Sequence, residues 1–249
     1  MASGQRFDDK AAAREHVWAR LQAEKLAAFP FPPRGRIPNF KGARQAAERL
    51  FAQPPLNGAR AIKVNPDTPQ RPVRALALAR GITVYMPTPG LTGGFKKLDP
   101  AQIPPEHTSE AASLSKTDRW AAAVDLDDLP ELDAIVMGAV AATADGRRCG
   151  KGEGYADLEY AILRELGHPP VPVATTVHEA QVLEAFPRSE TDLPLHCIAT
   201  PERVIAVADP PPAPSGLVRE KLSDADLEAM PVLKEVLERR PGRRPGEPL

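Results

Sequence analysis

The sequence predicts an α/β fold of three layers, α/β/α, with a mostly parallel sheet in the middle. Two observations carry that expectation. Segments with the period of strands alternate with amphipathic helical segments, the pattern of βαβ units. In addition, "LDAIVMGAVAA" (132–142) is a continuous apolar run, as a strand covered on both faces requires. With 249 residues, 42% of them hydrophobic, the chain can fill the core of one large domain.

The elements follow in order. Residues 10–28 read as a helix whose Val17, Trp18 and Leu21 share an apolar face. "FPFPPRGRIPNF" (29–40) breaks it, and Asn39 is placed to cap a second helix with Phe40, Ala43, Ala47, Leu50 and Phe51 on one side. "RAIKV" (60–64) reads as a strand, "NPDTPQRP" as a proline-rich loop, "VRALALARG" as a helix and "ITVYM" (82–86) as the next strand. Residues 88–120 read as irregular. After the 132–142 strand comes a glycine loop, then a helix over 157–166 with Leu158, Ala161, Ile162 and Leu166 on one face and Gly167 as its stop. "VPVATTV" (171–177) is a further strand, and a helix starts at His178 in "HEAQVLEAF". "LHCIAT" and "RVIAVA" read as a closing strand pair. The domain therefore spans 1–208. Residues 209–249 hold a linker, "DPPPAPSG", a helix over 224–239 with Leu227, Leu233, Val236 and Leu237 inward, and a disordered tail, "RRPGRRPGEPL".

Composition excludes several classes. Lys and Arg number 32 against 33 Asp and Glu, so there is no basic excess for general nucleic-acid binding. No run of about 18 apolar residues is present to span a membrane, and the N-terminus lacks the apolar core of a signal peptide. Two cysteines are too few for a disulfide framework or a cysteine zinc site. A cytoplasmic monomer acting on a small molecule is the expectation. The five histidines lack metal-site spacing, and His178 alone is expected near a cleft, with a structural or capping role as the alternative.

"DGRRCGKGEGYADLEYAILRELG" (145–167) holds the densest chemistry. Gly150, Gly152 and Gly154 alternate, and a phosphate cradle needs inward N–H groups on a backbone without Cβ atoms. Arg147, Arg148 and Lys151 supply positive charge, and the following helix adds its dipole. Asp157 is a hard oxygen ligand of the kind magnesium uses together with substrate phosphates. The spacing is not that of a P-loop, since Gly152 follows Lys151, and G-x-G-x-G is not the G-x-G-x-x-G dinucleotide fingerprint. By its own chemistry the loop is either a phosphate site or a strand-to-helix turn.

The order of residues resembles a known family. "RRCGKGEGYAD" is similar to the R-x-G-R-G-x-G-Y-Y-D loop of the 5-formyltetrahydrofolate cyclo-ligases. "LDAIVMGAVAATADGRR" resembles the family's preceding strand, and "TTVHEAQVLEAFPRSETDLPLHCIATPERVI" its downstream segment. Lys10 and Arg14 match a K-x-x-x-R pair at the first helix, and the likeness covers most of 10–207. The resemblance implies a Rossmann-like sheet of the NagB/RpiA/CoA-transferase-like kind, with ATP and magnesium as cofactors. It also implies the reaction: the terminal phosphoryl of ATP goes to the formyl oxygen of 5-formyltetrahydrofolate, a ring nitrogen attacks the activated carbon, and methenyltetrahydrofolate, ADP and phosphate result. Such catalysis is positioning plus charge stabilisation.

Carried over by position, Lys10, Arg14, Arg148, Gly150, Lys151, Gly152, Glu153, Gly154 and Tyr155 bind ATP. Lys151, Gly152, Gly154 and Tyr155 also face the substrate, together with Asp67 and Gln70. Lys151 and Tyr155 are the catalytic candidates, and Asp157 holds magnesium. The chain departs from the family's pattern at Lys151 (usually Arg), at Glu153, at Ala156 (usually Tyr) and at His196 (usually Asp, with Asp192 nearby). On the folate side Pro69 and Gln70 replace a Glu and a Thr. Arg34, Arg36, Lys41, Lys63 and Arg71 are placed to line an anionic-substrate site, or are ordinary surface charges. "RIPNFKGA" and "KVNPDTPQRPVR" resemble a divergent branch, related to the methenyltetrahydrofolate-synthetase-domain proteins. Two alternatives remain: an ATP-using enzyme on another small substrate, linked to thiamine metabolism, or a non-catalytic nucleotide or folate binder.

Overall fold

Two sheets organise the chain in the computed structural model, which describes residues 3–238. β1 (Ser3–Arg6) and α1 (Lys10–Ala23) lead to α2 (Ala43–Leu50). β2 (Ala61–Val64), α3 (Arg71–Ala79) and β3 (Thr83–Pro87) form a βαβ unit, and β4 (Phe95–Leu98), α4 (Thr108–Ala111) and β5 (Ala121–Val124) turn back beside it. β6 (Ala134–Met137), β7 (Ala141–Thr143) and β8 (Arg148–Cys149) run into α5 (Tyr155–Glu165). β9 (Val173–Thr176), β10 (Val182–Ala185), β11 (Cys197–Ala199) and β12 (Val204–Ala206) finish the sheets, followed by α6 (Asp224–Ala229) and α7 (Val232–Glu238).

The larger sheet has the order β12-β11-β9-β6-β2-β3-β4-β5. Its middle, from β11 to β3, is parallel, and its edges are antiparallel. Side-chain alternation sends each strand into two cores. Ala134 and Val136 of β6 pack with α2 and α3, whereas Ile135 and Met137 pack with α5 and α7. That division is the three-layer α/β arrangement the sequence predicts. The smaller sheet, β1-β10-β7-β8, carries α1 through Ala13, Val17, Trp18 and Leu21. The Asp9 side chain caps α1 by accepting from the Ala12 N–H at 2.7 Å, which fixes Lys10 as its first residue. Met230 and Leu233 are fully buried in the core formed with α5, so the segment after the proline linker packs on the domain. No helix among the described residues is long and apolar enough to cross a membrane.

Several elements differ from expectation. The 132–142 run is two strands in two sheets, because Gly138 breaks the ladder and the chain changes sheet there. "HEAQVLEAF" is a short 3₁₀ turn followed by strand β10, not a helix; Gln181 anchors it by donating to the carbonyls of Ala139 and Val140. The 88–120 segment contains β4 and α4, and β5 follows at once. "FKKL" and "AAAV" carry weak apolar signal; "AAAV" is the edge strand, and "FKKL" lies between it and β3. The first helix stops at Ala23, with Lys25 at φ 56°. α2 starts after Gly42 at φ 88°, and Asn39 instead donates to the Phe29 carbonyl. α5 begins at Tyr155, two residues early. The C-terminal helix is two helices, since Pro231 cannot continue the first; the tail at 239–249 lies outside the described residues.

Candidate functional site

The parallel strands β2, β3 and β6 end around one cavity of about 290 Å³, where open α/β sheets place their ligands. Its lining comes from five segments: Ile37 before α2, the loop after β2 with Asp67, the turn after β3 with Pro89, Gly138 after β6, and the glycine loop into α5. Of the residues assigned by position, Asp67, Arg148, Gly150, Lys151, Glu153, Gly154, Tyr155 and Asp157 all line it.

The glycine loop adopts a shape that side chains resist. Gly152 has φ 118° and Gly154 φ 73°. Gly154 caps α5 without a side-chain hydrogen bond, so the first N–H groups of the helix are left for water or an anion. Lys151 Nζ pairs with Glu153 Oε2 at 2.8 Å, and both side chains stay more than a third exposed. Arg148 is buried at the loop's root. It donates to Asp157 Oδ1 at 2.5 Å and to the Gly138 carbonyl at 3.2 Å, while its Nε has no partner among the described residues. Burial opposes the charge on Arg148, but Asp157 and Asp192 outweigh it and hold its pKa above the ordinary value. Asp157 Oδ1 also accepts from the Leu193 N–H at 2.9 Å.

Lys10 and Arg14 stand against the loop and do not line the cavity. The Arg14 guanidinium lies 3.6 Å from where a Gly152 Cβ would be, and its Nη1 is 3.6 Å from Cys149 Sγ. Lys10 is ion-paired with Asp192. Gln70 is fully buried, donates to Thr176 Oγ1 at 3.3 Å, and is not part of the lining. Arg34 and Arg36 line an outer recess shared with Asp67 and Lys151, and Arg34 also pairs with Glu15 at 2.8 Å. Lys41 is exposed, and Arg71 donates to the Ser109 carbonyl at 3.1 Å. His178 takes the capping role, accepting from the Ala180 N–H at 3.1 Å. His196 accepts from the Val173 N–H at 3.1 Å, and burial lowers its pKa, so it sits there as a neutral structural ring.

Three features escaped sequence reading. Arg74, 1% exposed, binds the carbonyls of Asn65, Asp67 and Ala112 at 2.6, 3.1 and 3.0 Å and so holds the Asp67 loop in place. Gly138 leaves room for Asp67: a Cβ there would lie 2.6 Å from Asp67 Oδ2. The third is the pairing of Lys63: expected to line an anionic-substrate site or to be an ordinary surface charge, it does neither, but is fully buried and pairs with Glu159 Oε2 at 2.6 Å, and Glu159 lines the cavity. A lysine inside an apolar strand was the available signal for the last. Burial raises the pKa of Asp67, against the opposing pull of Lys151 and Arg74, and no described residue donates a hydrogen bond to its carboxylate.

The arrangement can hold an anion at the loop and a nitrogen-bearing group at Asp67. Among the described residues there is no cluster of three or more His, Cys, Asp or Glu side chains fit to hold a metal. The donor set therefore suits magnesium only as nucleotides bring it, with phosphate oxygens as most of its ligands and one carboxylate from the protein.

Comparison with known proteins bears on the same residues. The model of the 5-formyltetrahydrofolate cyclo-ligase family matches residues 7–201. The chain is 41% identical over 240 residues to the methenyltetrahydrofolate synthase domain-containing protein of Mus musculus, covering 92% of this chain and 63% of that one. The Bos taurus protein of the same description is 40% identical over 233 residues, at 90% and 60% coverage. The chain thus spans under two thirds of these relatives. The 5-formyltetrahydrofolate cyclo-ligase of Escherichia coli K12 is 26% identical over 170 residues, 65% of this chain and 88% of that protein. Among solved structures, the NMR structure of Aquifex aeolicus 5,10-methenyltetrahydrofolate synthetase superposes with a TM-score of 0.50 at 18% identity, covering 82% of this chain and 96% of that one.

Proposed function

We propose that this chain, which belongs to the 5-formyltetrahydrofolate cyclo-ligase family, is an ATP- and magnesium-dependent ligase that closes 5-formyltetrahydrofolate to methenyltetrahydrofolate. One observation carries the reading: the positive-φ glycine loop with Lys151 and the buried Arg148 shares a single cavity with the undonated carboxylate of Asp67. Anion site and ring site thus face one space.

Bound ATP supplies the phosphoryl group that turns the formyl oxygen into a leaving group. The protein's part is placement. The loop N–H groups and Lys151 hold phosphate oxygens, and Lys151 offsets the charge that builds as the phosphoryl moves. Lys10 and Arg14 set the field behind the loop. Arg148 is spent on Asp157 and the Gly138 carbonyl, and so locks β8 to the start of α5. Asp157 would offer its second carboxylate oxygen to a magnesium ion carried by the nucleotide. Tyr155, the first residue of α5, lines the cavity beside Gly154 and closes one side over the reacting groups. Asp67 accepts an N–H of the ring.

A second reading keeps the nucleotide and changes the substrate. Neither Pro69 nor Gln70 lines the cavity, so the two positions where the resemblance implies a Glu and a Thr on the folate side contribute nothing here. The deciding experiment incubates the full chain with ATP, magnesium and 5-formyltetrahydrofolate and follows methenyl absorbance and phosphate release. Stoichiometric product supports the cyclo-ligase; ATP binding without product at high enzyme concentration refutes it.

A further inference from the structure

The proposed reaction leaves one buried charge without a task. Lys63 lies in β2, the strand between β6 and β3, with Ile62 and Val64 turned to the opposite core. An ammonium there is costly to bury unless it is paired and hydrogen-bonded. It has both: Glu159 Oε2 at 2.6 Å and Asn65 Oδ1 at 3.3 Å. Glu159 comes from the second turn of α5, so the pair fastens the helix that follows the glycine loop to the sheet.

Glu159 is also part of the cavity wall, and no described residue donates to its Oε1. Asp67, across the same space, receives no donor either, and Glu159 adds to the forces that raise its pKa. An ionised carboxylate only accepts hydrogen bonds. The cations nearby are engaged elsewhere, Arg148 with Asp157 and Lys151 with Glu153. Neither Glu159 Oε1 nor the Asp67 carboxylate receives a hydrogen bond from a described residue, so N–H groups brought by a ligand can satisfy both acceptors.

We propose that Glu159, fixed by Lys63, is a specificity-determining residue. Its Oε1 and the Asp67 carboxylate accept hydrogen bonds from two N–H groups on the edge of a nitrogen heterocycle of the 2-aminopyrimidine type. Lys63 is the positioning residue. The proposal rests on the function above only in seating the substrate in this cavity.

The test uses the full chain and two small probes, 2-aminopyrimidin-4-one and pyrimidin-4-one, which lacks the amino group. Calorimetry measures each, and ATP separately. The wild type binds the amino compound at least about tenfold more tightly, as a charged hydrogen bond implies. The double variant Lys63→Leu/Glu159→Leu removes both charges together, which cores often tolerate. It loses the preference and keeps its ATP affinity. Glu159→Gln, which keeps the shape and removes the charge, weakens the preference. Equal binding of the two probes by the wild type overturns the proposal, as does an intact preference in either variant. Discrimination between the probes without methenyl product refutes the cyclo-ligase and leaves this inference standing; product without discrimination does the reverse.

Discussion

Gly138→Ala puts a methyl group where the cavity floor has no room. The new Cβ would lie 2.6 Å from Asp67 Oδ2, and 2.9 and 3.1 Å from Cγ2 and Cγ1 of Ile37. Carbon contacts settle near 3.5–4.0 Å, so Asp67 and Ile37 must each retreat by roughly 0.5–1 Å. Asp67 cannot retreat freely, because Arg74 pins its carbonyl at 3.1 Å. Overpacking of this kind costs about 1–3 kcal/mol. For a chain of this size each kcal/mol lowers Tm by about 2–4 °C, so a fall of about 2–12 °C is expected. A shift approaching 1 Å in a positioning group can cost about a hundredfold in turnover. The assay is a thermal melt, with KM and kcat for the folate and calorimetry for ATP. The expected result is a lower Tm and a raised folate KM, with ATP affinity preserved. A variant that melts with the wild type and keeps its folate KM would show that the Asp67 floor is not where substrate binds.

Three further outcomes follow from the same geometry. Lys151→Ala weakens ATP binding about tenfold or more, the worth of a charged hydrogen bond; unchanged affinity by calorimetry would mean that the loop does not hold phosphate. Glu153→Gln frees Lys151 from its carboxylate and removes a like charge beside the nucleotide. ATP then binds about two- to fivefold tighter at low salt, a modest gain because the pair is half exposed, and weaker binding by the variant would refute the reading. Asp67→Asn separates stability from function. Burial raises the folded pKa of Asp67 above 3.8, so folding favours its protonated form and the ionised carboxylate costs stability above that raised pKa. The variant should therefore melt higher than the wild type at neutral pH, with the difference closing as pH falls through the raised pKa towards 3.8, while its folate KM rises. A lower Tm at neutral pH contradicts the assigned burial effect.

What the sequence revealed about the site was local. Gly150, Gly152 and Gly154 announce their backbone by spacing, and two of them hold φ values that other residues resist. The parallel core of the sheet was equally legible, because β2, β3, β6 and β9 lie in short segments rich in β-branched and apolar residues. The antiparallel end of that sheet was not: "FKKL" owes its pairing to β3 and β5, not to its own pattern. Gly138 reads as one more residue of a buried run until the change of sheet gives it meaning. Gln70 was placed at the substrate by position alone, and the turn at Thr68–Gln70 rotates it into the core.

Lys63 and Glu159 show why the remainder was hidden. They stand 96 positions apart, and neither carries a motif. Lys63 by itself is a charge in a strand; Glu159 by itself is a polar residue on an amphipathic helix. Only the crossover that lays α5 over β2 makes them one unit. That unit also bears on the chain's departures from its family. Pro69 and Gln70, at the positions where the resemblance implies a Glu and a Thr, are buried and outside the cavity lining. Glu159 supplies a carboxylate to that lining from α5, and Lys63 stabilises it where an apolar core would reject it. The glycine loop keeps its positive charge in Lys151, and α5 adds Glu159 to the acid that the β2 loop already supplies, Asp67. On the proposed reading, the glycine loop holds the nucleotide, and the placement of the Asp67 and Glu159 carboxylates selects the substrate.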